Sequence, residues 1–264
     1  MIDLVIDYDK YPYRNLALEE VLLSSACLKL RERPIVRIWI NDESIIIGRS
    51  LRIHDEVNIK LASYYKVPVI RRITGGGAVY HDPGNINFSL ITPRKKRMPI
   101  NEVYKEGLFI LITVLNKLGL NAWIENTNDL IVHGWKVSGS AAYVSNCASL
   151  FHSTLLISSN INRLNELIKP RLDRVARGEV TPAKYRPRNL SDFIHISVDE
   201  IIEILIDTVS ELLGTPIESS YTSREIEASE LLILNKYSRP EWNIHGKDAY
   251  STRRYIIELL AGKD

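Results

Sequence analysis

The sequence is poor in sulfur and contains no glutamine. Its 264 residues include only two cysteines, Cys27 and Cys147, and two methionines. Two cysteines are too few for a disulfide framework or a cysteine-rich metal site, and we expect Cys147 to be an ordinary small residue. The scarcity of heat-labile residues, together with abundant Ile, Arg, Lys and Glu, indicates a thermophilic source.

Long hydrophobic runs are also missing. No apolar stretch reaches the length of a membrane span, which is about 20 residues. The N-terminal residues Met1 to Leu4 contain no basic segment that leads into an apolar one, so no secretory signal is visible. A net charge of +2 is too small to argue for a nucleic-acid partner. These absences predict a cytoplasmic protein that binds neither membranes nor nucleic acid.

The distribution of apolar residues predicts an α/β (α+β) fold. Residues up to 158 are mostly strand-like, whereas those from 160 onward are mostly helical. We therefore expect a mixed, largely antiparallel β-sheet flanked by helices, in a single domain that spans residues 1–264. The predicted strands are 34–40, 44–48, 67–70, 87–92, 122–125, 130–132 and 151–158; the predicted helices are 15–32, 55–66, 101–118, 161–168 and 198–213, and another that opens at Thr222.

Three segments carry further expectations. Glu19 and Glu20 are predicted to lie near the start of the first helix, where acidic side chains stabilise its dipole. The basic segment 93–97 is either a solvated loop or a docking surface for an acidic partner. Residues 171–190, rich in Arg, Lys and Pro, are predicted to form a long, mobile, functional loop.

A glycine-rich string between Arg71 and Asn85 is the most informative part of the sequence. Three of the chain's 13 glycines stand together there, preceded by two arginines. Glycines let a ligand approach the backbone, and guanidinium groups attract anions, so the string predicts an anion or nucleotide site. It is neither a Walker loop nor a dinucleotide-binding fingerprint, and a tight hairpin with solvated arginines is the alternative.

A second cluster surrounds Lys136. Asn128 and Asp129 precede a predicted strand, and small residues flank the lysine, so that a ligand could approach its ammonium group. A solvated side chain is the alternative for Lys136. His152 is either a core histidine with both nitrogens satisfied or part of the same site.

The two clusters together resemble the lipoate–protein ligase A family of the biotin/lipoate protein ligase superfamily. The matching segments appear in the family's order and cover nearly the whole chain. They are Asn15-Leu16-Ala17-Leu18-Glu19-Glu20, Trp39 to Arg49, Arg71 to Asn85, Asn128 to Val132, Lys136 to Ala141, His152 to Leu156, and, more weakly, Arg188-Asn189-Leu190 and Glu241-Trp242-Asn243.

The resemblance implies the class II biotin/lipoyl ligase fold and a reaction in two steps. Lipoate and ATP would form lipoyl-AMP and pyrophosphate, and the lipoyl group would pass to a lysine of a lipoyl domain, in a 2-oxoacid dehydrogenase E2 or a glycine-cleavage H protein. About 21 residues follow Asn243. The resemblance is therefore to the short, catalytic subunit of a bipartite ligase, which lacks the C-terminal accessory domain and needs a separate accessory protein.

The resemblance also assigns roles to individual residues, with Lys136 as the catalytic residue. Asp129 is the candidate ligand for Mg²⁺, which prefers oxygen donors. The implied lipoate-binding residues are Arg72, Gly75, Gly76, Gly77, Ser138, Gly139, Ala141 and His152; the implied ATP-binding residues are Arg72, Thr74, Gly77, Val79, Tyr80, His81, Asn85, Asp129 and Lys136.

Three other functions compete with this interpretation. An octanoyl or lipoyl transferase that takes its acyl group from acyl carrier protein needs a cysteine thiolate, and the expected positions lack cysteine. A biotin ligase would carry a basic Gly-Arg-Gly loop, which is absent. A non-enzymatic lipoyl-domain binding protein would not depend on Lys136.

Overall fold

The chain folds around an eight-stranded mixed sheet with a three-stranded sheet beside it. The structure is a computed structural model that describes residues 1–248 and 250–262, with residues 250–253 described by their backbone alone. The strands in chain order are β1 Ile2–Asp7, β2 Ile35–Ile40, β3 Ser44–Ile47, β4 Val69–Arg71, β5 Val79–His81, β6 Asn85–Pro93, β7 Ala122–Glu125, β8 Asp129–Val132, β9 Trp135–Val144, β10 Ala148–Leu156 and β11 Pro216–Glu218.

The large sheet has the order β11-β1-β2-β6-β10-β9-β8-β7. Only the pairs β11–β1 and β1–β2 are parallel, and the other neighbours are antiparallel. The small sheet has the order β4-β3-β5, with β3 parallel to β4 and antiparallel to β5. The predicted mixed, largely antiparallel sheet is therefore confirmed.

Helices cover both faces of the large sheet. Helices α4 and α7 pack on one face, where Leu111, Val114 and Leu205 join the core. Helix α1 packs on the other, with α8 against α1 and with Leu22 and Trp242 in a second core. The helices are α1 Pro12–Cys27, α2 Ile53–Glu56, α3 Ile59–Tyr64, α4 Ile100–Lys117, α5 Ile161–Leu167, α6 Leu172–Ala176, α7 Val198–Leu213, α8 Ser223–Leu232, α9 Pro240–Asn243 and α10 Tyr250–Leu260.

The described helices do not include one that combines the length and apolar character needed to span a bilayer. The helix predicted to open at Thr222 is present as α8 and begins with a capping box: the Thr222 side chain accepts from Glu225 N–H, and the Glu225 carboxylate accepts from Thr222 N–H. Segment 171–190 is not a featureless loop, because it contains α6 and a 3₁₀ turn at Pro182–Tyr185.

The expectation for Glu19 and Glu20 was wrong. Helix α1 begins at Pro12, which suits the first helical position, and no acidic residue lies in its first turn. Glu19 and Glu20 therefore lie mid-helix. Glu19 is buried against β10, while Glu20 accepts hydrogen bonds from Lys236 Nζ. Both carboxylates act through tertiary contacts, and the helix dipole does not explain them.

The two cysteines form a disulfide, which corrects the expectation that Cys147 is an ordinary small residue. The bond joins Cys27 at the end of α1 to Cys147 just before β10, across 120 residues of sequence. Neither cysteine is free. Sequence spacing gave no sign of this contact, because it depends on α1 packing across β10.

Candidate functional site

A cavity of about 360 Å³ lies between the glycine loop (residues 74–78), β9 and β10. It brings together most of the predicted site residues, although they come from separate parts of the chain. Thr74, Gly75 and Asn85 are the exceptions and do not line it. The predicted residues that line the cavity are Arg72, Gly76, Gly77, Val79, Tyr80, His81, Asp129, Lys136, Ser138, Gly139, Ala141 and His152.

Arg72 holds the glycine loop in shape. Its guanidinium donates to the carbonyls of Gly75 at 2.6 Å and Gly77 at 2.9 Å, and to Ile46 O at 3.1 Å. Its Nε donates to Thr74 Oγ1 at 2.9 Å. Burial lowers the pKa of Arg72 to about 10, which still leaves it charged at neutral pH. Most of its donors are therefore engaged with the loop while its side chain lines the cavity.

Arg71 has a structural role, which corrects the expectation that both arginines face an anion. Its guanidinium is buried and donates to six backbone carbonyls, belonging to Gly48, Arg49, Leu51, Trp242, Asn243 and Ile244. The Asn243 side chain accepts from Arg71 N–H, and Trp242 Nε1 donates to Arg71 O. The Glu-Trp-Asn motif thus anchors the strand that precedes the glycine loop.

Two of the three glycines are required by close contacts. Gly76 has a φ of +95°, and a Cβ there would lie 2.8 Å from the Arg72 guanidinium. A Cβ on Gly77 would lie 2.5 Å from the Glu56 carboxylate, which accepts from Ala78 N–H. A Cβ on Gly75 would meet no described atom within 4 Å. The loop conformation therefore explains Gly76 and Gly77 but not Gly75.

A buried hydrogen-bonded chain links the glycine loop to α1. His152 Nε2 lies 2.8 Å from Thr74 Oγ1, and its Nδ1 lies 2.9 Å from Glu19 Oε2. Ser89 Oγ donates to Glu19 at 2.6 Å, and Trp39 Nε1 donates to Ser89 Oγ at 2.8 Å. Both ring nitrogens of His152 are therefore engaged in this chain.

The surroundings of Glu19 keep it ionised. Burial alone would raise the pKa of this carboxyl, but the charge and hydrogen bond of His152, with Ser89 and Arg37, hold it below its usual range. His152 therefore has both nitrogens satisfied and also lines the cavity. The two readings of this residue, core histidine and site residue, are compatible.

His81 lines the cavity and carries a buried donor. Its Nδ1 accepts from Asn41 Nδ2 at 2.9 Å, so Nε2 carries the proton. Among the described residues, this Nε2 has no hydrogen-bond partner. Burial, with the nearby Arg72 and His152, lowers the pKa of His81 to about 3. The ring is consequently neutral and has one N–H available for a ligand acceptor.

Asp129 joins two lysines at the opposite side of the cavity. Lys136 Nζ lies 2.7 Å from Asp129 Oδ1, and Lys184 Nζ lies 3.2 Å from Oδ2. Asp129 is almost fully buried. Burial would raise its pKa, but the charges of Lys136 and Lys184 hold it below its usual value. A Cβ on Gly139 would lie only 3.0 Å from Lys136 Nζ, which is why a small residue suits that position.

Several residues that line the cavity were not predicted from the sequence. Lys184 lies in the segment suspected of function, but nothing in its sequence context distinguishes it from other lysines. Glu56 is in a predicted helix without a motif. The apolar residues Leu16, Trp39 and Ile46 lie within or beside matching segments, and their alternation indicated burial only.

Asp129 was also predicted to bind Mg²⁺. The described part of the chain contains no group of three or more His, Cys, Asp or Glu side chains that could hold a metal. A single carboxylate nevertheless fits Mg²⁺ in nucleotide sites, where substrate phosphates and water commonly supply the remaining ligands. Asp129 lines the cavity and satisfies that requirement.

The sequence model of the lipoyl protein ligase A/B catalytic domain matches residues 11–210. The chain is 42% identical to a putative lipoate-protein ligase A of Aeropyrum pernix, covering 78% of this chain and 77% of the relative. It is 28% identical to lipoate-protein ligase A subunit 1 of Thermoplasma acidophilum, covering 87% of this chain and 91% of that one.

Solved structures agree in fold. A bi-partite lipoate protein ligase from Thermoplasma acidophilum superimposes with a TM-score of 0.82 at 28% identity, covering 94% of this chain and 97% of the other. A lipoate-protein ligase A bound with ATP superimposes with a TM-score of 0.82 at 27% identity, covering 93% of this chain and 99% of the other. With the family match spanning most of the sequence, the chain belongs to the lipoyl protein ligase A/B catalytic-domain family.

Proposed function

We propose that this protein is an ATP-dependent lipoate–protein ligase that acts through lipoyl-AMP, with residues 1–264 as one catalytic domain. The observation that carries the proposal is the meeting of the glycine loop and the Lys136 ammonium at one cavity. Its volume of about 360 Å³ lies in the range of small-molecule sites. Relatives named as lipoate ligases, including one bound with ATP and another with bound lipoic acid, support the choice of substrates.

In the first step, a lipoate carboxylate oxygen attacks the α-phosphorus of ATP. The bond to the bridging oxygen breaks, and pyrophosphate leaves with the bonding electrons. Negative charge increases on the phosphoryl oxygens, where a preorganised cation stabilises the transition state most effectively. Lys136 supplies that cation as the catalytic residue, because its ammonium lines the cavity and the small Gly139 leaves room beside it.

The acyl chain would occupy the apolar side of the cavity. Leu16, Trp39, Ile46 and Ala141 line it, and α1 and β10 support that wall through the Glu19–His152 contact. Apolar walls with a few fixed polar groups are typical of sites that bind an extended hydrophobic ligand. His152 would contribute to this end as a positioning residue, since both of its nitrogens are already engaged.

The nucleotide would lie along β5 and the glycine loop. Val79 and Tyr80 line the cavity there, and the free Nε2–H of His81 is suited to a ribose or phosphate oxygen. Asn85 does not line the cavity, and its amide donates to Asn87 Oδ1 at 3.2 Å. We assign it a supporting role through Asn87, which lines the cavity. Asp129 would hold Mg²⁺ when it is bound, and the metal would neutralise phosphate charge.

In the second step, the amine of an acceptor lysine attacks the acyl carbon of the adenylate. An amide forms, AMP leaves with the bonding electrons, and the amine proton passes to water. Because the acyl group is already activated, positioning the amine supplies much of the rate. The acceptor would be a lipoyl domain, since the Thermoplasma acidophilum relative was described together with its E2 lipoyl domain.

We further propose that a separate accessory protein completes the enzyme, which would act in the cytoplasm. Support comes from the close match to a protein called subunit 1 and to a ligase described as bi-partite. With lipoate and ATP, the chain alone should adenylate lipoate poorly. Full activity of the chain alone would contradict this part of the proposal.

Intact-mass spectrometry of an apo lipoyl domain provides the direct test. The domain is incubated with lipoate, ATP and this chain, with and without the candidate accessory protein. A gain of one lipoyl group that requires ATP is expected, and an acceptor Lys→Arg domain is the matched control. Modification that needs octanoyl-acyl carrier protein and no ATP would favour the transferase alternative instead. That alternative requires a thiolate, and both cysteines are disulfide-bonded.

A further inference from the structure

Lys184 brings the 171–190 segment into the cavity. It lies in the 3₁₀ turn Pro182–Tyr185, and its side chain is only 18% exposed. Its Nζ contacts one oxygen of Asp129 while Lys136 Nζ contacts the other. Two ammonium groups from distant parts of the sequence therefore share one buried carboxylate.

This cluster carries an excess positive charge. The two lysines contribute +2, and Asp129 contributes −1, so one charge is left over beside a cavity. Asn126 Nδ2 also donates to Asp129 at 3.1 Å, which adds a neutral contact. The other carboxylate that lines the cavity, Glu56, accepts from Ala78 N–H. Because partly buried charge is costly without a counter-charge, the cluster is suited to an anionic ligand.

Backbone contacts fix Lys184 relative to Lys136. Lys136 N–H donates to Arg186 O at 2.8 Å, and Arg188 N–H donates to Lys136 O at 2.9 Å. Thr181 N–H donates to Asn126 Oδ1 at 2.7 Å, close to Asp129 in the chain. The segment thus pairs directly with the residue that bears the catalytic ammonium, which distinguishes Lys184 from a lysine that happens to lie near a pocket.

We propose that Lys184 is a second catalytic residue of adenylation, contacting the phosphates of the nucleotide together with Lys136. The proposal rests on the ligase function proposed above. Before ATP binds, Asp129 holds both ammonium groups in place. When the triphosphate enters, phosphate oxygens provide the missing negative charge, and the two point charges stabilise the departing pyrophosphate.

The two half-reactions should depend on Lys184 unequally. Adenylation expels pyrophosphate, which carries several charges, whereas transfer expels AMP with fewer. Loss of one ammonium should therefore weaken adenylation more than transfer from preformed lipoyl-AMP. A purely structural role, in which Lys184 only keeps the segment in place, would weaken both steps together.

The test uses Lys184→Met, which keeps most of the aliphatic stem and removes the charge. The variant is assayed under the condition in which the wild type forms lipoyl-AMP, either alone or together with the accessory protein. Single-turnover pyrophosphate release should fall about 10–100-fold. Transfer from chemically prepared lipoyl-AMP to an apo lipoyl domain should change by less than about threefold. Lys184→Arg should recover most of the lost adenylation.

Arg177→Met is the matched control from the same segment. Arg177 pairs with Asp173 and Glu179, is exposed, and does not line the cavity. The rates of adenylation and transfer in Arg177→Met should equal those of the wild type. Unchanged adenylation in Lys184→Met overturns the proposal, as does an equal fall of both half-reactions. Failure of the wild type to form any lipoyl-AMP overturns the ligase function itself, and this proposal with it.

Discussion

The two sides of the cavity use cationic side chains in opposite ways. On the glycine side, formed by Arg71, Arg72 and the glycine loop, the guanidinium groups donate mainly to backbone carbonyls. On the lysine side, formed by Asp129, Lys136 and Lys184, the ammonium groups meet a single side-chain carboxylate. One set of cations is committed to the fold, and the other remains available to a ligand.

This difference separates stability from catalysis. Planar guanidinium groups with five donors are suited to fixing several carbonyls at once, whereas ammonium groups on flexible stems can change partners. Substitutions on the glycine side should therefore lower the free energy of unfolding. Substitutions on the lysine side should mainly lower the rate of adenylation.

Arg71 provides the largest expected effect on stability. Arg71→Met leaves six carbonyls without their donor and should lower the free energy of unfolding by on the order of 5 kcal/mol. Urea unfolding followed by circular dichroism measures the change. Arg49→Met is the control, because Arg49 is exposed and its guanidinium has neither a hydrogen bond nor an ion pair among the described residues; its Cζ lies 5.3 Å from the centre of the Trp242 ring. If the two variants are equally stable, the structural role of Arg71 is refuted.

The disulfide joins the end of α1 to the residue before β10. These are the two elements that carry Glu19 and His152, so the bond supports the apolar wall of the cavity. Closing a loop of 120 residues should stabilise the protein by about 2–4 kcal/mol. Reductant should lower the unfolding midpoint of the wild type by a corresponding amount. The double variant Cys27→Ala/Cys147→Ala should unfold at one midpoint with or without reductant. Mass spectrometry confirms that the reductant has broken the bond. An unchanged unfolding midpoint of the reduced wild type would then contradict this expectation.

His81, in β5 just after the glycine loop, differs from the two arginines, because its Nε2–H has no hydrogen-bond partner among the described residues. Its pKa of about 3 lies below the 6.5 of a free histidine, so the unfolded chain binds more protons between those pH values. Stability should fall as pH drops through this window, with His81 contributing about 2 kcal/mol of loss at pH 5. The difference between wild type and His81→Asn, measured by denaturant unfolding from pH 7 to pH 5, isolates this contribution. A difference that is constant with pH would rule it out.

The glycines offer the smallest and most local comparison. Gly77→Ala must displace the Glu56 carboxylate and should lower stability by about 1 kcal/mol. The Cβ added by Gly75→Ala would lie in open space, so the melting temperature should not change. A loss of activity in this variant would therefore indicate that a ligand lies beside Gly75. Equal melting temperatures for the two variants would show that the Glu56 contact does not constrain the loop.

Much of the fold followed from local sequence. Strand 122–125 and helix 198–213 were predicted with the observed bounds, since apolar periodicity and a capping residue define them. Strand β1 was missed, although its six residues are mostly buried, and β11 is only three residues long. Parallel pairing of β1 with β2 and β11 depends on tertiary contacts, and no local signal reports it.

The site was harder to predict where neighbours in sequence have different roles. Arg71 and Arg72 are adjacent and chemically identical, yet Arg71 contacts the end of α9 and Arg72 contacts the glycine loop. Lys184 reaches Asp129 only because its segment pairs with the Lys136 backbone. Such pairings depend on which distant backbones meet, and a single sequence does not contain that information.

Single-turnover release of pyrophosphate from ATP and lipoate by Lys136→Ala shows whether the lysine side supplies catalytic charge. We expect a fall of about 10²–10³-fold relative to the wild type. The loss of unfolding free energy should be smaller than in Arg71→Met, because Lys184 still pairs with Asp129. Pyrophosphate release at the wild-type rate would show that Lys136 supplies no catalytic charge, and the proposed role of the lysine side would be refuted.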